Sequence, residues 1–228
     1  MAKMDAIKAP VIRLRKEPNA TGGVSLLFWL PSSKEFGNLL PKLIWIQMRV
    51  DEINRLTSAA FTEWGHARAG RLGDHAQYHI FAIEHAVFQM RRVADELVGL
   101  HSVLRHYEAA GSLPQVVSPD HVGGVLANND VFGEAPFQGH EDFLRTLNDI
   151  HNAHKHSFIN SDSTVGGRDE PTVNALSRHR NRDDSPVQFH SVSLRQLCMH
   201  FEGFCIGVLE WLQDCSQRLP DNPARNQA

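Results

Sequence analysis

The residues best equipped for chemistry lie in one decapeptide, Leu147-Asn148-Asp149-Ile150-His151-Asn152-Ala153-His154-Lys155-His156. An imidazole can take a proton from a ribose 2′-hydroxyl or return one, and a neighbouring Lys or protonated His can stabilise the charge that develops on phosphate in the transition state. Chemistry of this kind needs no metal. The same residues also have a plain structural use. His154 falls on an apolar stripe, where a buried imidazole needs a hydrogen-bond partner, and Lys155 and His156 suit the negative end of a helix dipole.

Two further constellations compete with it. Glu63, His66, His75 and His79 flank one short connection between helical segments, and carboxylate and imidazole donors suit Zn, Fe or Mn. Only one E-x-x-H occurs, however, where carboxylate-bridged bundles use a pair. The expectation is a solvated hairpin tip with no metal held at full occupancy, and no cofactor. Arg178, Arg180 and Arg182 form a local basic run suited to gripping phosphates, although Asp183 and Asp184 follow directly and offset it.

Helices must position these groups. Phe36, Leu39, Leu43, Ile46, Val50, Ile53, Thr57, Ala60 and Trp64 recur at alternating spacings of three and four, a heptad seam that serves either an internal core or a dimer zipper. Ser32 and Glu35 suggest a capping box opening this helix, with Pro41 either kinking it or moving its start later. Glycines 65, 70 and 73 mark its end. A second stripe runs from Ile80 to Tyr107, opened by Asp74 and Gln77 and stopped by Gly111, so Phe36–Trp64 and Asp74–Tyr107 should form an antiparallel hairpin. A third helix is expected over His140–Ile159 and a fourth from Ser193 to about Cys215, with Ser193 and Gln196 as its capping box.

The remaining segments read as accessories. Val11–Arg15 and Val24–Leu30, separated by turn formers, suggest a small N-terminal β-hairpin within residues 1–31. The bundle proper then occupies 32–215, with polar excursions at 111–139, carrying one short helix after Ser118-Pro119, and at 160–190. A flexible tail follows at 216–228.

Composition sets the outer bounds. The 228 residues suit an all-α domain with a substantial core, and 23 Lys+Arg against 26 Asp+Glu leave a net charge of −3, so no global field draws the chain to nucleic acid or anionic membrane. Binding of either kind must be local. No apolar run approaches a bilayer span and no signal-peptide pattern opens the chain, so a cytoplasmic protein without membrane association is expected. Three cysteines clustered at 198, 205 and 215 read as packed, reduced thiols. Phosphate-loop, nucleophile-elbow, H-E-x-x-H and C-x-x-C signatures do not occur.

The segment His151-Asn152-Ala153-His154-Lys155-His156 resembles the signature of HEPN domains, all-helical proteins of prokaryotic defence and toxin systems, in which Arg, usually followed by a polar residue, precedes His after four to six intervening residues. Asn152 matches the polar position and His156 the motif His, while His151 stands where the family has Arg. A second register runs from Arg145 to His151 and places Thr146 in the polar slot. The spacing alone also occurs at Arg68/His75 and Arg195/His200, so the local context carries the resemblance. The resemblance implies metal-independent RNA cleavage, weakened by the His151 departure, at a site commonly assembled by two protomers. His151, Asn152 and His156, with Arg145 in reserve, would then be catalytic, and Lys155, with the basic run Arg178, Arg180 and Arg182, would hold phosphate. RNA, and a second copy of the chain or another protein, are the expected partners. The competing expectation is a non-catalytic helical interaction protein.

Overall fold

A computed structural model describes residues 7–14, 28–33, 36–70, 73–128, 132–133, 135–157, 169–178, 182–219 and 221–222. Its elements, in chain order, are β1 (Ser32–Ser33), β2 (Gly37–Asn38), α1 (Leu40–Arg68), α2 (His75–Ala110), α3 (Val122–Leu126), α4 (Glu141–His156), β3 (Thr172–Arg178), β4 (Val187–Ser193) and α5 (Leu194–Arg218). Helices dominate, as the periodicity requires, and none of those described is long and apolar enough to cross a membrane.

The α1–α2 hairpin is the frame. Leu43, Ile46, Val50, Ile53, Thr57 and Ala60 of the heptad seam are all buried, and they face Ile83, Val87, Met90, Val93, Leu97, Leu100 and Leu104 of α2. The seam is therefore internal core and not a zipper. Helix α1 starts at Leu40 and not at Ser32, because Pro41 fits the first helical turn, where its missing N–H leaves nothing unsatisfied. The expected capping box is replaced by the β1–β2 ladder, and it is the Ser33 hydroxyl that accepts from the Phe36 N–H, at 3.1 Å. Gly65 does not break α1; the helix continues to Arg68, and the turn is made by Gly70 and Gly73 at φ 66° and 128°, angles that side chains rarely adopt. Gly111, at φ 67°, ends α2 in the left-handed cap, and its N–H reaches the Tyr107 carbonyl. Asp74 stands before α2 but gives no side-chain cap.

Helix α2 is the central element, packing against α1, α3, α4 and α5. Helix α5 supplies Leu197, Phe201, Phe204, Val208 and Leu212 to the core, joined by Phe137 and Phe143. The Ser193 hydroxyl accepts from the Gln196 N–H at 3.3 Å, as the capping pattern anticipates. Thiols of Cys198, Cys205 and Cys215 are buried and unpaired; burial pushes Cys198 and Cys215 up to about 12 and Cys205 well above its ordinary value.

The polar excursion at 160–190 contains an antiparallel hairpin, with β3 and β4 paired from Thr172↔Ser193 to Arg178↔Val187, and Val173 and Ala175 turned into the core. Glu170 locks its base by accepting from the Ser193 hydroxyl and from Arg195 Nε. The tail begins later than residue 216: α5 runs to Arg218, Leu219 is buried, and Asn222 donates to the Ser216 carbonyl at 2.9 Å. Residues 11–14 are not a strand. Ile12 is held through its N–H and carbonyl by the Asn54 side chain, at 2.8 and 3.0 Å, and the opposing run expected at Val24–Leu30 lies largely outside the described residues.

Candidate functional site

Helix α4 places the decapeptide. Glu141 and Asp142 occupy its first turn and His154, Lys155 and His156 its last, the two carboxylates and the Lys155 ammonium complementing the macrodipole. Phe143, Leu144, Leu147, Ile150 and Ala153 form the buried face. At roughly 100° per residue, Asn148, His151 and Lys155 line one flank of that face, and Arg145, Asn152 and His156 line the neighbouring exposed ridge.

His151 is half-buried, its ring edge-on to Phe88 of α2 with centroids 4.8 Å apart and planes at 73°. Its Nδ1 is buried and has no hydrogen-bond partner among the described residues. Burial lowers the His151 pKa first, the Arg91 charge second; Asn152 and Asp95 pull the other way without reversing it. The imidazole is therefore neutral at neutral pH and able to accept a proton.

The cation beside it comes from α2. Arg91 is buried, with its guanidinium on the Asp95 carboxylate one turn along and on Asn148 Oδ1 at 3.3 Å, the latter one turn before His151 on α4. Asp95 also accepts the Val122 N–H at the start of α3, at 2.8 Å. A single carboxylate thus ties α2, α3 and Arg91 together. Removing one member of a pair this poorly solvated leaves an uncompensated charge, a change that typically costs about 3–5 kcal/mol. His121 stands close by: a Cβ on Gly123 would lie 3.2 Å from the His121 ring and 3.9 Å from an Arg91 terminal nitrogen.

The sequence-derived residues are thus divided. His151 and Lys155 share the Asn148 flank with Arg91 behind it. Asn152 and His156 are exposed on the adjoining ridge, and His156 lies roughly 140° around the helix from His151. Arg145 is also exposed and donates to Glu141 at 2.7 Å. His154 Nε2 lies 3.2 Å from the Asn174 carbonyl of β3, the structural role anticipated for it.

Within the basic run, the described arginines 178 and 182 are engaged locally. Arg182 forms a two-pronged pair with Asp184 at 2.9 and 2.5 Å, Arg178 reaches the Asp183 carbonyl at 3.5 Å, and Arg180 lies outside the described residues. Sequence reasoning missed Arg91, Asp95 and His121. The available signal was an Arg and an Asp at i, i+4 beside the apolar stripe of a helix otherwise committed to core.

The second constellation also changes on folding. Because α1 runs unbroken through Gly65, Glu63 and His66 project from one face, and the turn brings His75 to them. His79 remains a turn away, its Nδ1 3.3 Å from the His75 carbonyl.

No protein-family model, no curated protein and no solved structure matches this chain. The fold and the side-chain geometry therefore define the protein at the level of an all-α bundle built on a long helix hairpin.

Proposed function

We propose that the chain is a HEPN-like protein that binds and cleaves RNA without a metal, with His151 as its proton acceptor. The observation that carries the reading is a half-buried imidazole on the flank of α4 where Arg91 meets Asn148, one turn before the exposed Lys155. The cation that the sequence motif lacks at position 151 is supplied through space from α2. In the proposed reaction His151 takes the 2′-hydroxyl proton, the 2′-oxygen bonds to the adjacent phosphorus, and the bond to the 5′-oxygen breaks. That oxygen takes a proton from water, and His151 returns its own to solvent. Lys155, exposed one turn beyond His151, offsets the phosphate charge. The products are a 2′,3′-cyclic phosphate and a 5′-hydroxyl.

A second reading, a non-catalytic interaction protein, is favoured by Ile44, Trp45 and Met48, which are large, apolar and exposed on the outer side of α1. One experiment separates the two. Single-stranded RNA incubated with the protein in EDTA should be cut to cyclic-phosphate ends, whereas the same sequence as DNA should remain whole. Lys155→Ala should weaken RNA binding and reduce the salt slope by about one. A wild-type protein that neither binds nor cuts RNA would leave the interaction reading in its place.

A further inference from the structure

We infer that Glu63, His66 and His75 form a site for a borderline divalent cation of the Zn²⁺ class at the tip of the α1–α2 hairpin. One donor atom from each residue lies within 4.8 Å of the other two. Glu63 Oε2 is 2.5 Å from His75 Nδ1 and 4.0 Å from His66 Nδ1, and the two imidazoles meet edge-on with centroids 4.9 Å apart. His66 Nδ1 is buried and has no hydrogen-bond partner among the described residues, so a ligand-competent nitrogen is directed into the cluster with nothing to bond.

The three side chains are 26–31% exposed, which restricts their rotamers while leaving a path for solvent. Donors on a shared tetrahedral zinc are about 3.3 Å apart for bonds of about 2.0 Å. A cation therefore needs the Glu63–His75 contact to open by less than about an ångström and His66 to close by a similar amount. The turn accommodates this, because Gly73 has no side chain beside the His75 ring, and a Cβ there would lie 3.5 Å from Nε2. Arg68, near the end of α1, is directed away to Asp169 at 3.2 Å and over the Trp64 ring at 5.1 Å.

Two imidazoles and one carboxylate leave a fourth position for water, the pattern of an open zinc site, while the incomplete E-x-x-H pairing argues against a two-metal centre. Along α2 this cluster lies roughly 20 Å from Phe88, so it is separate from the His151 site.

The test is titration of the metal-free protein with Zn²⁺ by calorimetry and with Co²⁺ by visible absorption. One ion should bind per chain, Co²⁺ should give the intense d–d bands of a four-coordinate site, and Zn²⁺ should raise Tm saturably. His66→Ala, His75→Ala and Glu63→Gln should each weaken binding by more than about tenfold, the loss that even outer-shell partners can produce. Circular dichroism establishes that each variant is folded, and Glu63→Gln, which keeps shape and removes charge, covers the case where an alanine variant is not. His79→Ala should bind as wild type. Absence of saturable binding, or wild-type affinity in folded His66→Ala and Glu63→Gln, would overturn the site.

Discussion

Replacing His151 by alanine should reduce RNA cleavage by about 10²–10⁴-fold, the usual contribution of a positioned proton-transfer group. His156→Ala should change it by less than about tenfold. The expectation follows from the proposed role of His151, which lies against Phe88 on the flank where Arg91 meets Asn148, while His156 occupies the exposed ridge. His151 is half-buried at the flank of α4, so its truncation trims an edge of the core and should leave the helical spectrum intact. Arg91→Met should also depress cleavage, but with a loss of stability, since Asp95 would keep its contact to Val122 and lose its cation. Equal losses from His151→Ala and His156→Ala would return the reactive role to the linear motif.

The second large effect is on stability in acid. His101 lies buried on α2 between Phe137 and Trp211, with ring centroids 4.8 and 4.3 Å away. Burial, reinforced by the nearby Arg105 charge, lowers its pKa from 6.5 to about 4. The unfolded chain therefore takes up this proton near 6.5, and the folded chain only near 4. The contribution is complete above 6.5, falls as the pH drops through that window, and levels off near 4. Its full size is about 3 kcal/mol. His140, whose pKa is lowered by burial and then by His200, and His151 act in the same direction. Denaturant unfolding at a series of pH values should show wild type losing about 3 kcal/mol more than His101→Leu between neutrality and pH 4. Parallel pH profiles for the two proteins would contradict this account.

Both effects depend on features that differ in how openly the sequence shows them. The α1–α2 hairpin was legible because its burial repeats every three or four residues over many turns, and no other structure satisfies that pattern. The β3–β4 hairpin was not, because β3 buries only the small Val173 and Ala175, and β4 leaves Val187 and Phe189 exposed. A strand with so little apolar signal resembles a polar loop. The start of α1 was misplaced where two local rules compete: a capping box at Ser32 and Glu35, and Pro41 in the first turn. The proline prevails because its fixed φ suits a first turn and no later one.

The site shows the same division. His151, Asn152 and Lys155 could be singled out because they are adjacent in sequence, and their assignment to one flank or the other follows from helical geometry. Arg91 could not, since it lies 57 residues before its Asn148 partner and reaches it only through the packing of α2 on α4. The hairpin-tip cluster is masked in the sequence because only one E-x-x-H occurs and Gly65 reads as the end of the helix that carries Glu63 and His66. In the fold that glycine is an ordinary helical residue with no neighbour within 4 Å of the Cβ position.

The most direct test of the central claim is an NMR titration of the His151 imidazole in the free protein and with an RNA whose 2′-hydroxyls are methylated to prevent cleavage. The account predicts a midpoint below the ordinary histidine value of 6.5 in the free protein, and a ring resonance that shifts when the RNA is added. A midpoint at or above that value, with a resonance that RNA leaves unmoved, would contradict it.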